Sequence, residues 1–201
     1  LTGPDANVSM IARLAYSYDD RYFVTASWRR DYAGRLPKEH NFGDFPAVTL
    51  GWKISNEKFF KKNDIVNLLK LRASWGRVGN LGAIDYKSPL LSKNTYSEQA
   101  QYGVTSNQLW NNFAYYSTAL NPNLTWETSE QYDLGLDMEM FNNRLSLSMD
   151  YFDKRTFNLI QPQPMNWPST MGLDAMLVNL GEVRNRGFEL SIGWNDRINK
   201  N

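Results

Sequence analysis

The sequence contains no cysteine and only one histidine, His40. No disulfide framework can form, and neither a thiolate nor a multi-histidine metal site can be assembled. Charge of neither sign dominates: 22 Lys and Arg against 21 Asp and Glu leave a formal net charge of +1. Nothing in that balance points to a polyanionic partner. Long apolar runs are missing too. Mean hydropathy is −0.55, and no stretch approaches the roughly 18 residues a transmembrane helix requires. The first residues, LTGPDANVSM, show neither a basic n-region nor an apolar core, so no signal peptide is legible in them. Helical periodicity is lacking in every long segment; NEKFFKKNDIVNLLK has room for one helical turn and reads as a connection. Gly-rich phosphate loops and nucleophile elbows are also absent. None of this excludes a membrane β-barrel, whose alternating strands do not register as hydropathy peaks.

What the sequence has in plenty is aromatic side chains, 14% of residues, including 7 Trp and 11 Tyr. Much of it follows a period of two. In WETSEQYDLGLDMEMFNNRLSLSMDYFDKRT, residues 126–156, the apolar set Tyr132, Leu134, Leu136, Met138 and Met140 alternates with Asp133, Gly135, Asp137 and Glu139. After Phe141-Asn142-Asn143-Arg144 the alternation resumes as Leu145, Leu147, Met149 and Tyr151, with Ser146, Ser148 and Asp150 between them. This is the pattern of an antiparallel hairpin with one apolar and one polar face.

Five further segments read the same way: 8–18, 21–31, 45–55, 68–78 and 183–194. With the hairpin they make about seven strands in an all-β, up-and-down arrangement. Short connections (Asp19-Asp20, 56–67 and 141–144) alternate with long ones near 32–44, 79–125 and 157–182. Structureless loops beyond about 15 residues are unusual in compact soluble domains. Alternating short turns and long loops match an outer-membrane barrel instead.

On the apolar faces, aromatics cluster toward strand ends. Tyr16, Tyr18, Tyr22, Trp52 and Trp194 fall toward the short turns, and Trp28, Trp75 and Trp126 toward the long loops. Indole and phenol favour the headgroup region, so two aromatic rings around an aliphatic band describe a lipid-facing wall. The apolar face is therefore expected to meet lipid, with Tyr16, Tyr22, Trp28, Trp52, Trp75 and Trp194 at its interfaces. Arg72, Asp133, Asp137, Glu139 and Asp150 are expected to face a lumen. Seven strands leave two open edges, which cannot persist in hydrocarbon. Three architectures stay open on this pattern: a slice of a large barrel, a small closed barrel of structural or adhesive role with an eighth strand, and a soluble carbohydrate-binding β-sandwich.

NPNLTWETSEQYDLGLDMEMFNNRLSLSMDYFDKRTFNLI (121–160) resembles a signature stretch of the SusC/RagA-like TonB-dependent outer-membrane transporters of Bacteroidota. YSYDDRYFVTASWRRD (16–31), FPAVTLGWKISNEKFF with LLKLRASWGRVGN (45–80), and NLGEVRNRGFELSIGW (179–194) resemble the family in the same order. The resemblance implies a barrel of about 22 strands with a plugged lumen. It also implies energised uptake of oligosaccharides or peptides, a SusD-like surface lipoprotein outside and the TonB complex inside. No plug domain, TonB-box-like segment or convincing C-terminal closing strand is visible in 1–201. The chain is expected to be wall from the C-terminal half of a barrel, in a Gram-negative outer membrane.

The resemblance brings no substrate motif, so candidate contacts rest on chemistry. Tyr86, Tyr96, Tyr102, Trp110, Phe113, Tyr115 and Tyr116 crowd the 79–125 connection, and Trp167 sits among prolines in PQPMNWPSTMG. Aromatic faces there can stack on sugars or a partner, or simply fold the loop onto its neighbours. Asp137 and Glu139 lie two apart on one strand, roughly 7 Å, a spacing seen in glycoside hydrolysis. Inward charges are also what any polar lumen displays, paired with groups such as Arg72. No enzyme, no cofactor and no metal are expected.

Overall fold

The computed structural model describes residues 7–61, 65–84, 121–163 and 176–196. They form strands β1 (Asn7–Tyr18), β2 (Tyr22–Ala33), β3 (Phe42–Lys53), β4 (Val66–Asn80), β5 (Glu127–Met140), β6 (Leu145–Phe157), β7 (Ile160–Gln163), β8 (Met176–Asn179) and β9 (Glu182–Trp194). Seven of them make one antiparallel sheet in the order β1-β2-β3-β4-β5-β6-β9, while β7 and β8 pair as a separate hairpin. The long strands run from 12 to 15 residues. At roughly 3.3 Å per residue, and tilted as barrel strands are, that length crosses a hydrocarbon layer of about 30 Å.

Each sequence-expected strand is present, and most are longer than expected. The 32–44 connection shrinks to 34–41, because the β2–β3 ladder continues to Tyr32 opposite Phe42. Those two rings pack at 5.3 Å between centroids. Likewise β4 and β5 stay paired up to Asn80 opposite Glu127, beyond the point where apolar alternation fades. Backbone hydrogen bonds, not hydropathy, extend the ladder there. The 157–182 connection is not structureless, since it contains the β7–β8 hairpin. Gly181, at φ 98°, turns the chain back toward β9. Among the described residues the one helical turn is a 3₁₀ turn at Ile54–Asn56, which reaches only the first residue of the segment with room for it.

The short turns are tight. Three residues separate the paired Tyr18 and Tyr22; Asp19 and Asp20 both adopt the left-handed conformation at the centre of a turn that the Arg21 N–H closes on the Tyr18 carbonyl at 3.0 Å. Phe141, Asn142 and Asn143 do so in succession; Asn tolerates this, whereas the bulky Phe141 does so at a steric cost.

Register aligns the faces. On the apolar side Trp52, Leu71, Leu136, Met149 and Leu190 share one row across five strands. One residue along, on the polar side, Gly51, Arg72, Gly135, Asp150 and Glu189 share the next. Among the described residues the apolar side has no cover: Leu14, Tyr16, Leu134, Phe188 and Ile192 are exposed, and Trp194 is 63% exposed. A sandwich would have buried these residues, and a small closed barrel would have paired β1 with β9. Neither occurs among the described residues.

The buried core among the described residues lies at the long-loop end. Ala33, Leu36, Phe45, Ile84, Leu124, Trp126 and Ile160 cluster there, with Leu81 and Leu177 against them. This corrects the placement of Trp126 among the apolar-face aromatics. Its ring packs edge-on against Phe45 at 5.4 Å, in the cluster. The paired β3–β4 register ends at Ala47 opposite Gly76. Beyond it the Phe45 ring lies against Gly43 and Gly79, and a Cβ on Gly43 would fall 2.5 Å from Phe45 Cζ.

Candidate functional site

Three arrangements carry chemistry: a charge network on the polar face, carboxylate-pinned indoles on the apolar face, and the clustered bases of the loops.

The polar face is organised around Arg72 on β4. Its Nε donates to Asp137 Oδ2 at 2.7 Å and its Nη2 to Asp137 Oδ1 at 3.0 Å. Nη2 also donates to Asp150 Oδ1 at 3.0 Å, so one guanidinium joins three adjacent strands. Ser148 Oγ donates to Asp137 Oδ1 at 2.9 Å and closes the group. Gly135 lies directly between Arg72 and Asp150 in register. A Cβ there would collide with Asp150 Oδ1 and sit 2.9 Å from Arg72 Cζ. The glycine is thus the gap through which the arginine reaches. Next to this group Ser74 Oγ and Gln131 Nε2 both donate to Asp133, at 2.9 and 2.8 Å.

A polar hollow of about 460 Å³ opens beside the network, lined by Arg72, Asp133, Asp150, Phe152, Lys154 and Glu189. Mixed charge, hydroxyls and an amide suit hydrogen-bonded contact with a polar ligand or polypeptide. A larger hollow of about 660 Å³ lies among apolar side chains such as Leu50, Trp52, Leu134 and Met149. It converges no comparable polar groups and suits apolar matter.

Of the five charges expected on one face, Arg72, Asp137 and Asp150 meet, Asp133 sits beside them, and Glu139 lies two residues on, opposite Ser146 and outside the network. Asp137 is neutralised by Arg72 and is not one half of an acid pair. Sequence reading missed Ser148, Ser74, Gln131 and Gly135. The β5–β6 partners were findable, since counting back from the 141–144 turn sets Gly135 opposite Asp150. The β4 partners were not, because a long connection and a register shift between Val66 and Leu68 separate the strands.

On the apolar face two indoles are each held by a carboxylate. Near the short turns, Glu57 accepts from Tyr22 Oη at 2.5 Å, Trp52 Nε1 at 2.9 Å and Arg21 Nη1 at 3.3 Å. The 3₁₀ turn after β3 delivers Glu57 to that position. Hydrogen bonds from Tyr22 and then Trp52 hold its carboxyl below the ordinary 4.5. Asp20 in the neighbouring turn is lowered as well, chiefly by the hydrogen bond from Lys53 at 2.8 Å. Nearer the long loops, Trp75 Nε1 donates to Glu130 Oε1 at 3.1 Å, and Arg77 Nε to the same oxygen at 3.0 Å. Trp75 lies opposite Tyr132, and Trp28 beneath the Arg30 guanidinium at 5.4 Å. Tyr16 and Trp194 stand on the same face toward the short turns.

At the loop end Asn179 knits the connections together. Its Oδ1 accepts the Thr125 N–H at 2.8 Å, and its Nδ2 donates to the Thr125 and Asn158 carbonyls at 2.9 Å each. Asn121 Nδ2 donates to the Leu177 carbonyl at 2.9 Å. Loop candidates Tyr86, Tyr96, Tyr102, Trp110, Phe113, Tyr115, Tyr116 and Trp167 lie outside the described residues.

Comparison with known proteins places this geometry. A family described as "TonB dependent receptor-like, beta-barrel" matches residues 5–201. The TonB-dependent receptor P39 of Formosa agariphila is 37% identical over 95% of this chain, which covers 18% of that protein. The TonB-dependent receptor SusC of Bacteroides thetaiotaomicron is 34% identical over 96% of this chain and 19% of its own length. The RagAB peptide importer in its closed-closed state superposes with a TM-score of 0.78 at 27% identity, over 96% of this chain and 20% of that one. The chain therefore spans about a fifth of the relatives it matches, and those relatives are receptors and importers, not enzymes. A seven-stranded antiparallel sheet with segregated faces, matched along nearly its whole length, belongs to the β-barrel family of TonB-dependent receptors.

Proposed function

We propose that this chain is a section of the wall of an outer-membrane importer for oligosaccharides or peptides. The observation that carries the reading is the segregation of the sheet into an uncovered apolar face and a charge-networked polar face, within a matched barrel family. The apolar face meets lipid, with Tyr16, Tyr22, Trp28, Trp52, Trp75 and Trp194 at its two interfaces. The polar face, with Arg72, Asp133, Asp137, Glu139 and Asp150, lines a lumen filled by the importer's own plug. Connections at 34–41, 81–126 and 158–181 rise outside the cell from the clustered base around Phe45 and Trp126. A SusD-like lipoprotein seats on those loops, and loop aromatics such as Trp110 and Trp167 contact it or the substrate. The TonB complex engages parts of the importer beyond this wall. Glycan is the first cargo class and peptide a close second, and a peptide importer among the structural neighbours supports the second.

Deleting the gene for the full-length protein tests the reading. Uptake of one oligosaccharide or peptide class is expected to fail while passive entry of monomers persists. A surface lipoprotein is expected to co-purify with the tagged full-length chain. Unchanged uptake of both classes, with no partner recovered, contradicts the reading.

A further inference from the structure

The apolar face does not stay apolar to the top of the strands. One row above Trp75 and Tyr132, the same face carries Arg77, Glu130, Arg155 and Arg184, directly opposite one another across β4, β5, β6 and β9. Two residues along a strand advance about 7 Å, so this charged row stands immediately above the aromatic ring, at headgroup height. Arg155 and Arg184 are facing residues in register, a like-charge pair that ordinarily destabilises a sheet.

Carboxylates hold both guanidiniums in place without using them up. Arg155 gives Nε and Nη2 to Glu182 at 2.6 Å each, and Arg184 gives Nε and Nη2 to Asp153. In both, Nη1 has no acceptor among the described residues, and the side chains are 51% and 57% exposed. Two planar forks, fixed along one edge and open along the other, are a preorganised donor set for a tetrahedral oxyanion. Arg77, 44% exposed and anchored by Glu130, extends the set by one strand pair. Among the described residues the cations on this face at or above the girdle are arginines, Arg186 in the row of Trp75 and Tyr132 and Arg30, Arg77, Arg155 and Arg184 beyond it, the residue suited to forked phosphate binding.

We propose that Arg155 and Arg184, with Arg77 beside them, bind the phosphate groups of outer-leaflet lipid and fix the wall's height in the membrane. The inference rests on the outer-membrane reading above. It adds a specific headgroup site to a face otherwise covered by acyl chains.

The test uses the full-length protein in phosphatidylcholine nanodiscs doped with lipid A, and with the same lipid stripped of its phosphates. Retained lipid is counted by native mass spectrometry. Wild type is expected to hold lipid A preferentially, and the R155Q/R184Q variant to hold about tenfold less, as loss of charge-assisted contacts requires. Dephosphorylated lipid is expected to be held weakly by both. Equal retention by variant and wild type, or equal retention of the two lipids, overturns the proposal. Should the double variant fail to fold, Arg184→Lys keeps the charge but loses the fork, and a fall in lipid A retention is again expected. Heat-modifiable migration in electrophoresis reads barrel insertion separately; its absence in wild type overturns the outer-membrane reading itself.

Discussion

The Arg72 guanidinium on β4 and the Asp150 carboxylate on β6 meet at 3.0 Å across the strand between them. They meet over Gly135, whose missing side chain is the condition for the contact. Alanine in a strand is ordinarily better than glycine by roughly 0.5–1 kcal/mol. At Gly135 the sign should reverse. Gly135→Ala is expected to destabilise the full-length barrel by about 1–2 kcal/mol in urea unfolding. Gly51→Ala, whose added Cβ meets nothing nearer than 3.4 Å, should be neutral or mildly stabilising.

The same network makes a prediction about salt. The side chains of Arg72 and Asp137 are 40% and 29% exposed, so their coupling in a double-mutant cycle should not exceed about 1 kcal/mol. Removing only the cation is different, because Asp133, Asp137 and Asp150 then face one another with only Lys70, opposite Asp137, and Lys154 nearby to offset them. Arg72→Gln should lower the melting temperature most at low ionic strength, and added salt should recover part of the loss.

Glu57 ties stability to pH. Its folded carboxyl titrates below the ordinary 4.5, so the unfolded chain takes up that proton more readily. The stability it contributes is present above that ordinary value and is lost as pH falls through the lower, folded one. The gap in unfolding midpoint between wild type and Glu57→Gln should therefore be widest near neutrality and close on acidification. A gap that widens toward acid would show that the carboxylate is not the form being held.

Phe45 is 6% exposed and central to the loop-end cluster. Phe45→Ala should cost about 3–5 kcal/mol if the cluster unfolds with the barrel. Asn179→Ala removes two hydrogen bonds that join the 121–126 and 158–181 connections, and a third, to the Asn158 carbonyl, within the latter. Its expected signature is faster proteolytic cutting near the β7–β8 hairpin, with the main sheet uncut.

Much of this architecture was legible from residue alternation. Period two in 132–151 revealed the β5–β6 hairpin and its two faces. Packing against distant segments was not legible. Trp126 has the spacing of an apolar-face residue, yet it is drawn into the Phe45 cluster because the β3 and β4 ends leave room there. Glu57 looks like a charge in a polar turn, and only the 3₁₀ turn before it brings the carboxylate to two aromatic partners. The β7–β8 hairpin escaped notice because four-residue strands containing Pro162 carry too little alternation to be seen.

The central claim is that the two faces of this sheet meet different solvents, and spin labels on β5 of the full-length protein in bilayers test it most directly. Labels at Leu134→Cys and Leu136→Cys are expected to be accessible to oxygen dissolved in lipid and shielded from an aqueous nickel chelate. Labels at Asp133→Cys and Asp137→Cys should show oxygen shielding, with any chelate access confined to them. Accessibility that alternates with the strand, apolar residues toward lipid, is the predicted result. Equal accessibility at all four positions, or alternation of the opposite sense, would contradict the account.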